Sequence, residues 1–247
     1  MVISNEKEIK KCVDNDVSIG HLKKKCDPRN IDNILMEISG VHIIDPNATI
    51  EKLRIACEQL KNIVASNGKV LFVCTKKIAK SYIKEVASSL DMPYITEKWF
   101  GGLITNFFVV KKMIKKNEDL NSIINSSEYK FLSKKEQTVL KRVTNRQSVL
   151  LDGITKKIYR TPGAMIVVDI KNERIAIKEA SRSGIPVFGL VDTNVYSPDV
   201  TYPIPCNDDK LCSIRFIIEH LKLAILDGLA QLDKSKTSSS TDNSSVK

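Results

Sequence analysis

The chain has 247 residues, 42% of them hydrophobic and 28% charged, with 39 Lys/Arg against 29 Asp/Glu and a formal net charge of +10. That length carries one large domain, or one domain with an appendage, and buries a substantial core. No stretch approaches the ~20 apolar residues of a spanning helix, and Met1 to Lys11 mixes Glu and Lys too freely for a signal or transit leader, so the expected place is the cytoplasm and the excess charge points to a polyanionic partner.

In chain order, Val41-His42-Ile43-Ile44 reads as a strand. After Pro46, Thr49 is positioned to cap a helix reaching Ala65, with Ile50, Leu53, Cys57, Leu60 and Val64 on one face. Lys69 to Cys74 is a nearly continuous apolar run, the pattern of a strand buried on both faces. A helix with Ile78, Tyr82, Val86 and Leu90 spaced by four follows, then a short strand at Pro93-Tyr94-Ile95. The alternation returns beyond residue 160: strand Ala164 to Asp169, helix Ile175 to Arg182, strand Pro186 to Asp192, an edge piece at Tyr202 to Pro205 where prolines are tolerated, and a last helix from Asp209 to about Asp233. Strands alternating with helices predict an α/β fold, a flavodoxin- or Rossmann-like and mostly parallel sheet with helices on both faces. The Ser/Thr-rich segment 234–247 is expected to be disordered.

An insertion separates the two halves. Between Phe107 and Arg160 there are thirteen Lys/Arg against five Asp/Glu, a net of +8, so most of the charge sits in one segment. Phe107, Val110 and Ile114 share a helical face, and residues 132, 136, 139, 143, 146 and 150 recur in near-heptad spacing across a bend at Ser126-Ser127. The expectation is a discontinuous α/β domain, 1–106 with 161–233, carrying a basic two-helix hairpin at 107–160. Its outer faces hold Lys111, Lys112, Lys115, Lys116, Lys134, Lys135, Lys141 and Arg142. With few acidic residues at i,i+4 these cations repel one another until phosphates bind and counterions leave. Lys76, Lys77 and Lys98 extend the candidate RNA-binding set onto the α/β body, with Trp99 and Asn106 beside Gly101-Gly102 at the hairpin's base.

Enzymatic readings find less support. No glycine-rich loop follows the 70–74 strand, where Thr75-Lys76-Lys77 stands instead, and no G-x-x-x-x-G-K occurs. The six cysteines contain no C-x-x-C pair. His21, Asp192, Asp208 and Asp209 form a speculative zinc-type donor set at the carboxyl ends of the strands. The preferred alternative is that Asp208 caps the last helix and Asp192 orders the Thr193-Asn194 turn, with no cofactor.

These residues also resemble a known family. Trp99-Phe100-Gly101-Gly102-Leu103-Ile104-Thr105-Asn106 resembles the W-[LF]-G-G-x-x-T-N signature of the bacterial-type second protein of the small ribosomal subunit, the uS-two family. Gly20-His21, Phe72 to Lys77, Ala176 to Ala180, Gly184 to Val187, Val191 to Asn194 and Ile204 to Asp209 fall in that family's order, over about residues 17 to 228. The chain departs from it at Cys26-Asp27-Pro28, where the family has W-N-P, and at Cys206, where it has glycine. The resemblance implies a non-enzymatic, RNA-bound scaffold of the small subunit, contacting rRNA and neighbouring ribosomal proteins, the large mRNA-binding one included. It implies no membrane and no small-molecule substrate. The rival readings are a free-standing α/β enzyme with an acidic metal site and, more weakly, an adaptor on an anionic membrane.

Overall fold

The computed structural model describes residues 2–154, 161–196 and 198–242. The elements are α1 (Val2–Asp14), β1 (Ile19–Leu22), β2 (Ile34–Ile38), β3 (Val41–Ile44), α2 (Pro46–Ala65), β4 (Val70–Val73), α3 (Lys80–Ser89), β5 (Tyr94–Ile95), α4 (Phe107–Asn125), α5 (Lys134–Leu151), β6 (Ala164–Val167), α6 (Arg174–Arg182), β7 (Val187–Val191), β8 (Tyr202–Pro205) and α7 (Leu211–Asp242).

Five strands pair in parallel in the order β5-β4-β6-β7-β8, which puts the proline-bearing β8 at an edge as its sequence requires. Every residue of β4 and β6 is buried, the reason both read as unbroken apolar runs. Alternate side chains feed two layers. Val70, Phe72 and Cys74 pack with α2, α3 and α7, whereas Leu71 and Val73 pack with α6, the Trp99–Ile104 segment and the root of the hairpin.

Val41–Ile44 is a strand, but it does not join the parallel sheet. It is the centre of a separate antiparallel sheet, β1-β3-β2. A two-residue loop joins β2 to β3, with Ser39 at φ 51° and Gly40 at φ 78°, the doubly positive backbone that matches hairpin twist. The cap of α2 also differs from expectation. Pro46 fixes the first turn, so Asp45 is the cap and accepts the Asn47 amide at 2.9 Å. Thr49 is buried one turn inside, where its hydroxyl donates to the Asp45 and Pro205 carbonyls.

The predicted hairpin is present as α4 and α5, joined through a 3-10 turn at Ser127–Phe131. Its seam on α5 lies one residue out of the predicted register. Thr144 and Leu151 are buried there and Leu140 partly so, while Val139 and Val143 are exposed. The cause is a polar layer: buried Asn117 of α4 exchanges hydrogen bonds with Ser148 at 3.3 and 3.4 Å, so the seam is not purely apolar. Glu136, at one of the near-heptad positions, belongs to a capping box with Ser133. The last helix starts at Leu211 and continues to Asp242, into the segment expected to be disordered. A helix already nucleated extends at the cost of one residue per added hydrogen bond.

Candidate nucleic-acid interface

The hairpin leaves the body through the Trp99–Asn106 segment, and a single carboxylate holds that segment. Glu179 of α6 accepts the Gly102 amide at 2.7 Å, the Trp99 indole N–H at 3.2 Å, the Ile104 amide at 3.2 Å and the Thr105 hydroxyl at 3.4 Å. Burial pushes the Glu179 carboxyl up, but these donors, Gly102 first, outweigh it and hold it below its usual 4.5. Gly102 sits at φ 84°, a backbone region a side chain would strain, which is why the signature needs glycine there. Trp99 is 8% exposed and belongs to the core, so it is not open for stacking on a base. Asn106 is exposed at the start of α4, and its amide donates to the Gly102 carbonyl at 2.7 Å.

A second anchor holds the other root of the hairpin, where α5 returns to the body. The Asp152 carboxylate takes the Lys84 ammonium at 2.6 Å and the Tyr94 hydroxyl at 2.8 Å. Gly153 lies so close to β5 that a Cβ there would collide with the Tyr94 carbonyl oxygen.

Lys111, Lys112, Lys115, Lys116, Lys134, Lys135, Lys141 and Arg142 are all exposed. Among the described residues no carboxylate pairs with any of them; the body's ion pairs fall on cations such as Lys23, Lys69, Lys80, Lys84 and Lys210. Lys112 lies 4.4 Å from the centre of the exposed Phe108 ring, and Lys141 lies 5.3 Å from that of Tyr129. Lys77 and Lys98 are likewise exposed. Lys76 is only part-exposed, and its ammonium bridges Asp208 at 2.8 Å and Asp209 at 2.7 Å.

The four speculative metal ligands do converge. The His21 ring nitrogens stand 3.1 Å from Asp192 Oδ2 and 3.0 Å from Asp209 Oδ2. Gly20 makes this approach possible, because a Cβ there would meet Thr193 at 2.6 Å, and the His21 amide donates to the Thr193 hydroxyl. The expected turn role of Asp192 is present, its Oδ1 accepting the Thr193 amide at 2.5 Å. Asn207 rather than Asp208 orders the turn that leads into α7, its Oδ1 accepting the Asp209 and Lys210 amides. Burial pushes the Asp208 carboxyl up to about 6 against the pull of Lys76, while Lys76 holds exposed Asp209 below the usual range.

Among the described residues, no group of three or more His, Cys, Asp or Glu side chains has metal-holding geometry. Here the cation between the carboxylates is the Lys76 ammonium, so the arrangement is an ion-pair cluster and does not fit zinc as it stands. It ties the β1 end to the loops after β4, β7 and β8. The same region explains why the sheet lacks a nucleotide seat. At the crevice between β4 and β6, Thr75 donates to buried Glu173 at 2.6 Å and Asp169 is buried, so carboxylates fill the place where a phosphate would lie.

A family model described as Ribosomal protein S2 matches residues 13–228. The chain belongs to the ribosomal protein S2 family. Relatives named small ribosomal subunit protein uS2 include one from Amoebophilus asiaticus, 40% identical over 98% of this chain and 76% of its own length. Another, from Cytophaga hutchinsonii, is 42% identical over 93% of this chain and 90% of its own. One from Flavobacterium psychrophilum is 42% identical over 97% and 90%. The S2 signature segment thus has a physical role in this chain, as the loop gripped by Glu179. The departure at Cys206 is absorbed without strain: its φ is not positive, its amide donates to the Val191 carbonyl at 3.0 Å, and its side chain is fully buried. At the other departure, Asp27 caps the turn Pro28–Asn33 and holds Arg29.

Proposed function

We propose that the chain is built into the small ribosomal subunit and grips rRNA chiefly through the α4–α5 hairpin. The S2 family is a structural, non-enzymatic component of that subunit, which sets aside the reading of a free-standing enzyme with an acidic metal site. The observation that carries the rRNA reading is the set of eight exposed hairpin cations that have no carboxylate partner among the described residues. Lysine is a point charge that reads no base edge well, so recognition is of backbone and shape. No helix among the described residues is long and apolar enough to cross a membrane. The place of action is the cytoplasm, within the subunit. Its neighbours there are rRNA and other ribosomal proteins, the large mRNA-binding one among them. Half-exposed Val139 and Val143 beside Leu132 and Leu140 offer an apolar strip suited to a protein neighbour.

Replacing Lys111, Lys112, Lys115 and Lys116 by Gln tests the reading. Each phosphate that is no longer neutralised lowers the slope of log K against log salt by roughly 0.7–0.9. An unchanged slope removes the hairpin as the RNA-binding surface. Sedimentation of the tagged native chain with small-subunit particles tests incorporation.

A further inference from the structure

The helix α6 has an unusual distribution of charge. Its two acidic residues point inward: Glu173 at its N-terminus is engaged by Thr75, and Glu179 grips the Trp99–Thr105 segment. Its solvent side is left to Arg174, Lys178 and Arg182, spaced by four and exposed on one face. None of the three has an ion-pair partner within 4 Å among the described residues. Burying the acids leaves the outer face of this helix with basic charges only, beside the uncharged, exposed Ile175 and Ser181.

That face borders a cleft of about 270 Å³, whose lining includes Arg29, Arg174, Lys178 and Tyr196. Arg29 is fixed on two sides. Its guanidinium donates to Asp27 through Nε at 3.0 Å and Nη2 at 2.9 Å, and it lies 4.7 Å from the centre of the Tyr196 ring. The side chain is nonetheless 66% exposed, so an immobilised cationic plane is open to solvent. A rigid guanidinium plane beside free cations is the arrangement on which an unstacked base is held while its phosphates are neutralised. The cleft is smaller than the roughly 300 Å³ at which pockets for whole small ligands begin, so it suits one unit of a chain better than a free cofactor. Asp27 is neutralised by Arg29; Asp199 at the rim is the one acid a phosphate must avoid.

We infer that this cleft and the outer face of α6 form a second RNA-binding surface, on the α/β body. It takes an unpaired nucleotide, with the base stacked on Arg29 and the flanking phosphates on Arg174, Lys178 and Arg182. The inference rests on the reading that RNA is the ligand of this protein, but uses none of the hairpin residues.

The full chain is titrated with small-subunit rRNA over a salt series, with thermal melts confirming that each variant folds. A triple Arg174→Gln, Lys178→Gln, Arg182→Gln variant is expected to lower the log–log salt slope by roughly 2 to 3. Arg29→Lys keeps the charge and loses the plane; it is expected to weaken binding roughly 5- to 100-fold with the slope unchanged. If the hairpin variant lowers the slope and the α6 variant does not, this inference fails while the hairpin reading stands. If neither lowers it, both fail. An α6 variant that binds rRNA as the parent does but drops out of assembled particles marks a docking face for an acidic protein and overturns the inference. Inorganic phosphate and a nucleoside monophosphate are run as competitors at equal ionic strength. Displacement of the Arg29-dependent component by either one at micromolar concentration assigns the cleft to a free ligand and also overturns it.

Discussion

Glu179 Oε1 accepts the Gly102 amide at 2.7 Å across 77 positions of sequence, and this contact joins α6 to the root of the hairpin. Glu179→Ala leaves that amide, the Ile104 amide and the Trp99 indole N–H without their acceptor. Each stranded buried donor costs about 1–3 kcal/mol, so the expected loss is about 3 kcal/mol or more. Urea unfolding with an unchanged m-value measures it; a midpoint equal to the parent's shows that the loop is held by something else. Because the carboxyl is held below 4.5 in the folded chain, its contribution is present above that pH and is lost as pH falls through the folded value.

Asp208 works in the opposite sense. Its carboxyl is raised from 3.8 to about 6, so folding takes up a proton there between about pH 4 and 6. The associated stability is present below about pH 4 and is lost as pH rises through 6. The Asp208→Asn variant is expected to lack this falling limb, seen as a flatter dependence of unfolding free energy on pH than the parent over that window. Parallel curves for the two proteins would mean that Asp208 ionises normally in the folded chain.

What the sequence displayed and what it concealed follow from burial. β4 and β6 are legible because all their side chains are buried, leaving no polar interruption. β1 and β2 are not: Leu35, Met36 and Ile38 are each about half exposed, and the strand keeps no alternation to read. The seam of the hairpin is displaced by one residue because its inner positions include Gln137, Thr144 and Ser148, which a search for apolar heptads passes over. His21, Asp192, Asp208 and Asp209 could be grouped from the sequence because each lies near the carboxyl end of a strand or in a family motif. Lys76 could not be added to them, since its partners lie 132 and 133 positions away and only the fold brings them together.

Lys76 also governs any metal chemistry at this cluster. Its ammonium takes up one oxygen of Asp208 and one of Asp209, two of the carboxylates that a zinc ion there would need. Lys76→Ala is therefore expected to retain more zinc than the parent after dialysis against equimolar metal, measured by elemental analysis. Asp208→Asn added to that variant should abolish the gain. Equal zinc content in parent and Lys76→Ala would place any bound zinc elsewhere.

The hairpin can be shortened only beyond its root. Val110 and Ile154 belong to the body's core layer, so removing 107–159 is expected to unfold the chain; large losses at buried aliphatic sites cost about 2–5 kcal/mol each against a total of about 5–15. Replacing 119–146 with a short flexible bridge is expected to leave a cooperatively melting body, since Asn117 and Ser148 already touch across the two helices. Circular dichroism melts of both deletions decide this. A molten short deletion would show that the distal hairpin contributes to the core.

Gly153→Ala puts a methyl carbon against the Tyr94 carbonyl, where backbone must move to admit it. The expected result is a lower melting temperature together with weaker RNA binding at constant salt slope, because the charges remain and their placement changes. A variant indistinguishable from the parent in both would mean that α5 is not seated there.

With 18 residues at about 1.5 Å each, α5 is an arm of about 27 Å. A tilt of about 5° at its root displaces the tip by roughly 2 Å, enough to take a lysine out of reach of its phosphate. The aim of this outrigger is therefore set by Glu179, Asp152 and Gly153 near its pivot, atoms that serve as mountings rather than as grips.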